Sequence, residues 1–399
     1  MLWQPPLDER YLSATSEDLA SAISARRREI GDRLIILGHH YQTDEVIRHA
    51  DFTGDSLKLS QLAASRVAER GAEYVVFCGV HFMAETADLL APPGTKVILP
   101  DLSAGCSMAD MADYEDAIVA WDALHATLKK QGWEGRIVPV TYVNSSAAIK
   151  AFVGARGGCV CTSSNAREVF EWAMQGGAAP ATKRGKKSAS DVKILFLPDQ
   201  HLGRNTAASF GLDVATRTCV YDPKAARKGE TLGGSTPEQA LASNVILWAG
   251  HCSVHKLFRP EHCDQVRRAD PETRILVHPE CAKEVVDLAD LSGSTEFIIR
   301  TIRAAVPGTR WAVGTEMHLV SRLADEARAR GVEVRSLSGL QCLCTTMYRI
   351  DEPHLLWALD SLATGKVVNQ IRVHDAARPD ALLAIQRMLD LSSALARAD

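Results

Sequence analysis

An α/β fold with parallel sheets, repeated three times along the chain, is what this 399-residue sequence predicts. Three observations support it. Short apolar runs alternate with amphipathic helical segments, the pattern of parallel sheets covered by helices. The alternation recurs in three units, and each unit closes at a cysteine. Polar residues gather just beyond the expected strand ends, where chemistry collects in parallel α/β sheets.

Residues 15–30 (TSEDLASAISARRREI) predict a helix with a Ser or Thr cap and early acids, within an N-terminal helical segment 1–32. The first repeat, 33–134, opens with the strand RLIILGHHY and continues with the helix DSLKLSQLAASRVAERG. The strand AEYVVFCG, a helix starting near HFMAETADLLA, and the strand KVILP lead to its closing residue, Cys106. The second repeat, 135–268, opens with RIVPVTYVN, followed by a helix after NSSAAIKAF, a strand before CTSSN and the helix AREVFEWAM. The strand VKILFLP, a turn at DQHLGRN and the strand NVILWAG then lead to Cys252. Two insertions, ATKRGKKSASD and YDPKAARKGETLGGSTPEQ, are rich in Gly, Lys, Ser and Pro and are expected as exposed loops. The third repeat and its tail cover 269–399. It runs through RILVHPEC, the turn LSGST, the helix EFIIRTIRAA, the strand TRWAVGTE, the helix HLVSRLADEARARG and the strand VEVRSLS to Cys344. The tail after Met347 is expected to be mostly helical. Three similar units imply Rossmann-like αβα domains around a pseudo-threefold axis, with the strand ends facing a central active site.

Composition narrows the function. The chain is 46% hydrophobic and 24% charged, ordinary for a globular protein with a large core. A net charge of −4 argues against bulk binding to nucleic acid or an anionic membrane. The opening MLWQPPLDER lacks the progression of a signal peptide, and no apolar run reaches the roughly eighteen residues of a membrane span. A cytoplasmic setting is the expectation. Ten cysteines in such a setting point to metal or redox chemistry rather than disulfides. The closest pairs are Cys159/Cys161 and Cys342/Cys344, and no Cys-x-x-Cys occurs. A local zinc knuckle is therefore disfavoured, and metal ligands would come from distant parts of the chain.

Cys106, Cys252 and Cys344 hold equivalent positions in the three repeats. Gly105 and Gly250 closely precede the first two, with Gly339 further from the third. Three thiolates meeting at one axis suit a [4Fe–4S] cluster with one iron lacking a protein ligand, at the centre of the fold. Such an iron is a Lewis acid suited to dehydration chemistry. Buried apolar cysteines are the competing explanation. Hydroxyls precede a helix in each unit: Ser56, Ser163 with Ser164, and Ser294 with Thr295. They serve either as simple caps or as an anion site at three helix N-termini. His39, His40, Tyr41, His81, Tyr142, Asn144, His278 and Glu280 lie at strand ends, a placement that suits acid/base work. His255 and Asn205 are weaker candidates. No P-loop, dinucleotide-binding glycine fingerprint, nucleophile elbow or HExxH helix is present.

At these residues the chain resembles the quinolinate synthase family. The segments GHHYQTDEV, GDSLKLSQLA, FCGVHFMAETA, PDLSAGCSMADM, TYVNSSA, CTSSNA, AGHCSVH, VHPEC, GST, GTE and CTTMYRI match it in order and spacing from about residue 33 to 350. The resemblance implies three α/β domains around a pseudo-threefold axis and a [4Fe–4S] cluster held by Cys106, Cys252 and Cys344, not Cys342. It implies condensation of iminoaspartate with dihydroxyacetone phosphate, with loss of phosphate and water, to give quinolinate for NAD biosynthesis. His39, Ser56, Tyr142, Asn144, Ser163, His255, His278, Glu280 and Thr295 would contact substrate. Tyr41 and Glu280 would transfer protons, with Tyr142 sharing that role. Iminoaspartate would come from a separate oxidase, L-aspartate oxidase, in transient contact. Another [4Fe–4S] hydro-lyase acting on a small hydroxy acid is the alternative reading.

Overall fold

A computed structural model of the chain describes residues 3–178 and 192–395. The basic segment ATKRGKKSASD, expected as a loop, lies outside the described residues.

The chain divides into two compact units, Met1–Cys106 with Ile299–His374, and Ser107–Ile298 with Asp375–Asp399. Among the described residues fourteen strands follow in chain order: β1 Leu34–His39, β2 Phe52–Gly54, β3 Tyr74–Cys78, β4 Lys96–Ile98, β5 Arg136–Tyr142, β6 Cys159–Cys161 and β7 Val192–Leu197. Then come β8 Thr218–Tyr221, β9 Val245–Trp248, β10 Arg274–Val277, β11 Leu291–Ser292, β12 Arg310–Gly314, β13 Glu333–Ser336 and β14 Gln370–Ile371. They build three sheets, and the fold is α/β as expected. In the first unit the order is β14-β4-β3-β1-β2, and in the second it is β6-β5-β7-β9-β8. In the second unit β10 also pairs with β11, and in the first unit β12 pairs with β13. The pairs within each unit are parallel except β14 with β4. Strands β1 and β7 are buried along their whole length, which explains their unbroken apolar runs.

Two strand starts share a device. The short neighbour β2 begins only opposite Leu37, and β11 only opposite Leu276. The preceding amides, Ile36 N–H and Ile275 N–H, therefore need another acceptor. Asp51 Oδ2 accepts the first at 2.7 Å, and Asp290 Oδ2 accepts the second at 2.6 Å. Each aspartate is held in turn by an arginine, Arg27 at 2.7 Å and Arg267 at 2.8 Å.

Most elements fall where the sequence places them, including the helix Ser16–Ile30 capped by Thr15. Three differ. DQHLGRN is not a turn but the start of the helix Gln200–Ser209. Asp199 caps it by accepting from His201 N–H and Leu202 N–H. Gly203 permits it to lie close, since a Cβ there would come within 2.6 Å of Phe196 and Leu247 side chains. The insertion YDPKAARKGETLGGSTPEQ carries two short helices, Pro223–Ala226 and Pro237–Ala242, each begun by proline. The tail is helical at Glu352–Ala363 and Arg378–Leu395, but β14 between them adds an antiparallel edge to the first sheet. No described helix is long and apolar enough to cross a membrane.

Candidate active site

Tyr142 is the last residue of β5, and Glu280 lies three residues beyond β10. In the second unit the Tyr142 hydroxyl donates to Glu280 Oε1 at 2.6 Å. His255, in the short turn after Cys252, meets Glu280 Oε2 through Nδ1 at 2.8 Å. The His278 ring stacks on that of His255, with centroids 4.5 Å apart and planes at 21°. Tyr142, His255, His278 and Glu280 are all buried. The thiol of Cys252, a ring nitrogen of His255 and a carboxylate oxygen of Glu280 lie within 4.8 Å of one another, a group able to hold a metal ion.

Burial alone would raise the Glu280 pKa. The histidines beside it, and the hydrogen bonds from His255 and Tyr142, outweigh burial and hold the carboxyl well below its ordinary range. Burial has the opposite result at His278, lowering it to about 3, so that ring is neutral at physiological pH. Its Nδ1 accepts from Glu280 N–H at 3.3 Å, which leaves its proton on Nε2. Asp199, which is fully buried, is pushed up by burial and by the charge of Glu280.

The same loop geometry appears in the first unit. Tyr41 N–H donates to His39 Nδ1 at 3.1 Å, so His39 also presents an Nε2 proton. Their rings meet edge to face at 4.7 Å. The Tyr41 hydroxyl bonds Thr315 Oγ1 at 3.0 Å. Thr315 directly follows β12 and had no role in the sequence reading. Its signal was the GTE triplet at a strand end.

Capping does not explain Ser56 or Thr295. Asp55 caps Ser56–Arg70 by accepting from Lys58 N–H, and Ser294 Oγ accepts from Phe297 N–H at the start of Thr295–Arg303. Ser56 and Thr295 are the first helical residues. Ser163 stands two residues before Asn165, the cap position of Ala166–Met174, where no side chain caps the helix. Asn144, two residues beyond β5, has a buried Oδ1 without a partner among the described residues, as do His201 Nδ1 and Asn205 Oδ1. Such atoms cost about 1–3 kcal/mol each when left unpaired, and they mark where a polar ligand is welcome.

The cysteines separate cleanly. Seven of the ten are buried, and the three partly exposed ones are Cys106, Cys252 and Cys344. Cys342 is buried, its carbonyl accepting from Met317 N–H at 3.1 Å, whereas the Cys344 thiol meets Thr346 Oγ1 at 3.5 Å. Gly250, two residues before Cys252, has no room for a side chain, because a Cβ would lie 2.2 Å from the Pro198 carbonyl.

The chain is similar in sequence to known proteins. Residues 21–390 match the family model described as quinolinate synthetase A protein. A quinolinate synthase from Nocardioides sp. is 54% identical over 95% of this chain and 90% of its own. One from Acidobacterium capsulatum is 50% identical over 96% and 95%, and one from Geobacillus sp. is 48% identical over 97% of both. Matched over nearly its whole length, the chain is an enzyme of the quinolinate synthetase A family.

Proposed function

We propose that the chain condenses iminoaspartate with dihydroxyacetone phosphate, releasing phosphate and water, to form quinolinate. The observation that carries the reading is the buried Tyr142–Glu280–His255 network beside the partly exposed Cys252. Cys106, Cys252 and Cys344 would hold a [4Fe–4S] cluster. The donor set fits, since these three alone among the ten cysteines are not buried. When bound, the cluster supplies a Lewis-acidic iron open to a substrate oxygen or nitrogen.

The chain's own residues supply the rest. His39 and His278 donate from Nε2 to anionic oxygens of the substrates. Ser56, Ser163 and Thr295, at helix starts, receive phosphate and carboxylate groups with the adjacent N–H groups. Asn144 offers its unpartnered Oδ1 to a substrate donor. Glu280, ionised and bonded to His255 Nδ1 and to the Tyr142 hydroxyl, transfers protons, and His255 contacts substrate. Tyr41 and Tyr142 pass protons at their hydroxyls, Tyr142 in direct contact with Glu280. Burial of this network excludes the water that would hydrolyse the imine. The same lability favours supply of iminoaspartate by transient contact with L-aspartate oxidase.

Anaerobic purification with iron and sulfide quantification, followed by a quinolinate assay on both substrates, tests the reading. About four irons per chain and quinolinate formation support it. A protein that stays iron-free after anaerobic reconstitution, or an iron-loaded one that makes no quinolinate, refutes it.

A further inference from the structure

We infer that Arg322 and Asn205 are a matched pair of positioning residues, one for Tyr41 and one for Glu280. This rests on the reading of those two side chains as proton-transfer groups. The loops that carry them share a form: a histidine ends or follows a parallel strand, and its Nδ1 accepts the N–H of the residue two further on. Each loop is also held from outside by one side chain of a helix in the same unit. Arg322, on Met317–Arg328, donates from Nη1 to the His40 carbonyl at 3.0 Å and from Nη2 to the Gln42 carbonyl at 2.7 Å. Asn205, on Gln200–Ser209, donates from Nδ2 to the Pro279 carbonyl at 2.8 Å and to the Cys281 carbonyl at 2.9 Å. In both cases the bridged carbonyls belong to the residues immediately before and after the proton-transfer residue.

The geometry has a direct mechanical meaning. The His40 and Pro279 carbonyls lie in the peptide planes that lead into Tyr41 and Glu280, and the Gln42 and Cys281 carbonyls lie one plane beyond those that lead out, so each pair of hydrogen bonds spans the residue between and limits its backbone rotation. A rotation of about 10° at a tyrosine Cα moves its hydroxyl, roughly 6 Å away, by about 1 Å, a misplacement that costs about a hundredfold in rate. Chemistry also fixes the donors. Both partners of Asn205 are carbonyls, so the amide must present nitrogen to them. Arg322 uses the planar fork that a lysine lacks. Its remaining contact, Nε to Asp44 at 2.7 Å, reaches a carboxylate that is 69% exposed and adds little.

The test compares Arg322→Lys, Arg322→Ala and Asn205→Ala with the wild-type holoenzyme. Residue-resolved amide hydrogen exchange reads Tyr41 N–H and Glu280 N–H. Iron content, Tm, kcat and KM are measured on the same preparations. Each Arg322 variant is expected to speed exchange at Tyr41 at least tenfold and leave Glu280 unchanged, and Asn205→Ala to do the reverse. kcat falls about 10- to 100-fold in both, with KM within about threefold and iron retained. Arg322→Lys recovers little, since one ammonium does not bridge two carbonyls. Unchanged exchange at the clamped residue overturns the inference, and so does exchange rising equally at both loops with a fall in Tm. A wild type that makes no quinolinate refutes the proposed reaction instead, while the exchange pattern still decides whether the clamps exist.

Discussion

Replacing Tyr142 with Phe removes one oxygen from the buried network and little else. The lost hydrogen bond is short, 2.6 Å, and its acceptor is a carboxylate, so its loss costs about 1.5–3 kcal/mol. Glu280 Oε1 is left buried and loses a donor. Losing that donor moves the Glu280 carboxyl upward from its depressed position, while the histidines beside it still hold it down. It stays ionised at pH 7, and any loss of rate there belongs to the missing hydroxyl. Loss of a group that passes protons in the reaction lowers kcat about 10²- to 10⁴-fold. The assay is anaerobic quinolinate formation on Tyr142→Phe, Glu280→Gln and the double variant, with iron content and denaturant unfolding of each. Coupling of about 1.5–3 kcal/mol in the stability cycle is expected, with unchanged iron. Additive stabilities together with wild-type turnover in Tyr142→Phe would show that this bond neither holds Glu280 nor serves the chemistry.

Cys106→Ala, Cys252→Ala and Cys344→Ala should each abolish iron and sulfide uptake. Cys342→Ala should keep the cluster and lose only about 1 kcal/mol of stability, since its thiol is buried. Thr295→Val and Ser163→Ala each remove a hydroxyl expected to meet an anion, and should lower kcat/KM about 10- to 100-fold with full iron content. Unaltered kinetics would remove them from the site. His278 gives a pH signature. Its folded pKa of about 3 lies below the ordinary ~6.5, so the unfolded chain takes up the proton first as the medium is acidified. Stability is therefore lost as pH falls from ~6.5 towards 3, by about 2–3 kcal/mol between pH 6.5 and 4.5. Urea midpoints of His278→Gln should fall less than those of wild type over that window, and equal slopes would contradict the assignment.

The alternation of apolar strands and amphipathic helices was legible because it is local: side-chain period and backbone geometry are fixed within a few residues. The helix Gln200–Ser209 escaped notice for a local reason too, since its first turn is polar and contains Gly203. Only packing against Phe196 and Leu247 explains that glycine. The shift of capping from Ser56 to Asp55 and from Thr295 to Ser294 was likewise ambiguous in sequence, where either of two neighbours can cap.

Sequence alone determined the α/β class, because the periods of strands and helices need no coordinates to be seen. Tertiary structure decided which side chains act on one another. Tyr142 and Glu280 are 138 residues apart, and Tyr41 and Thr315 are 274 apart. Nothing in either segment names its partner. A hydrogen bond depends on distances of a few tenths of an ångström, and these are set only when the chain has folded and remote strand ends come together.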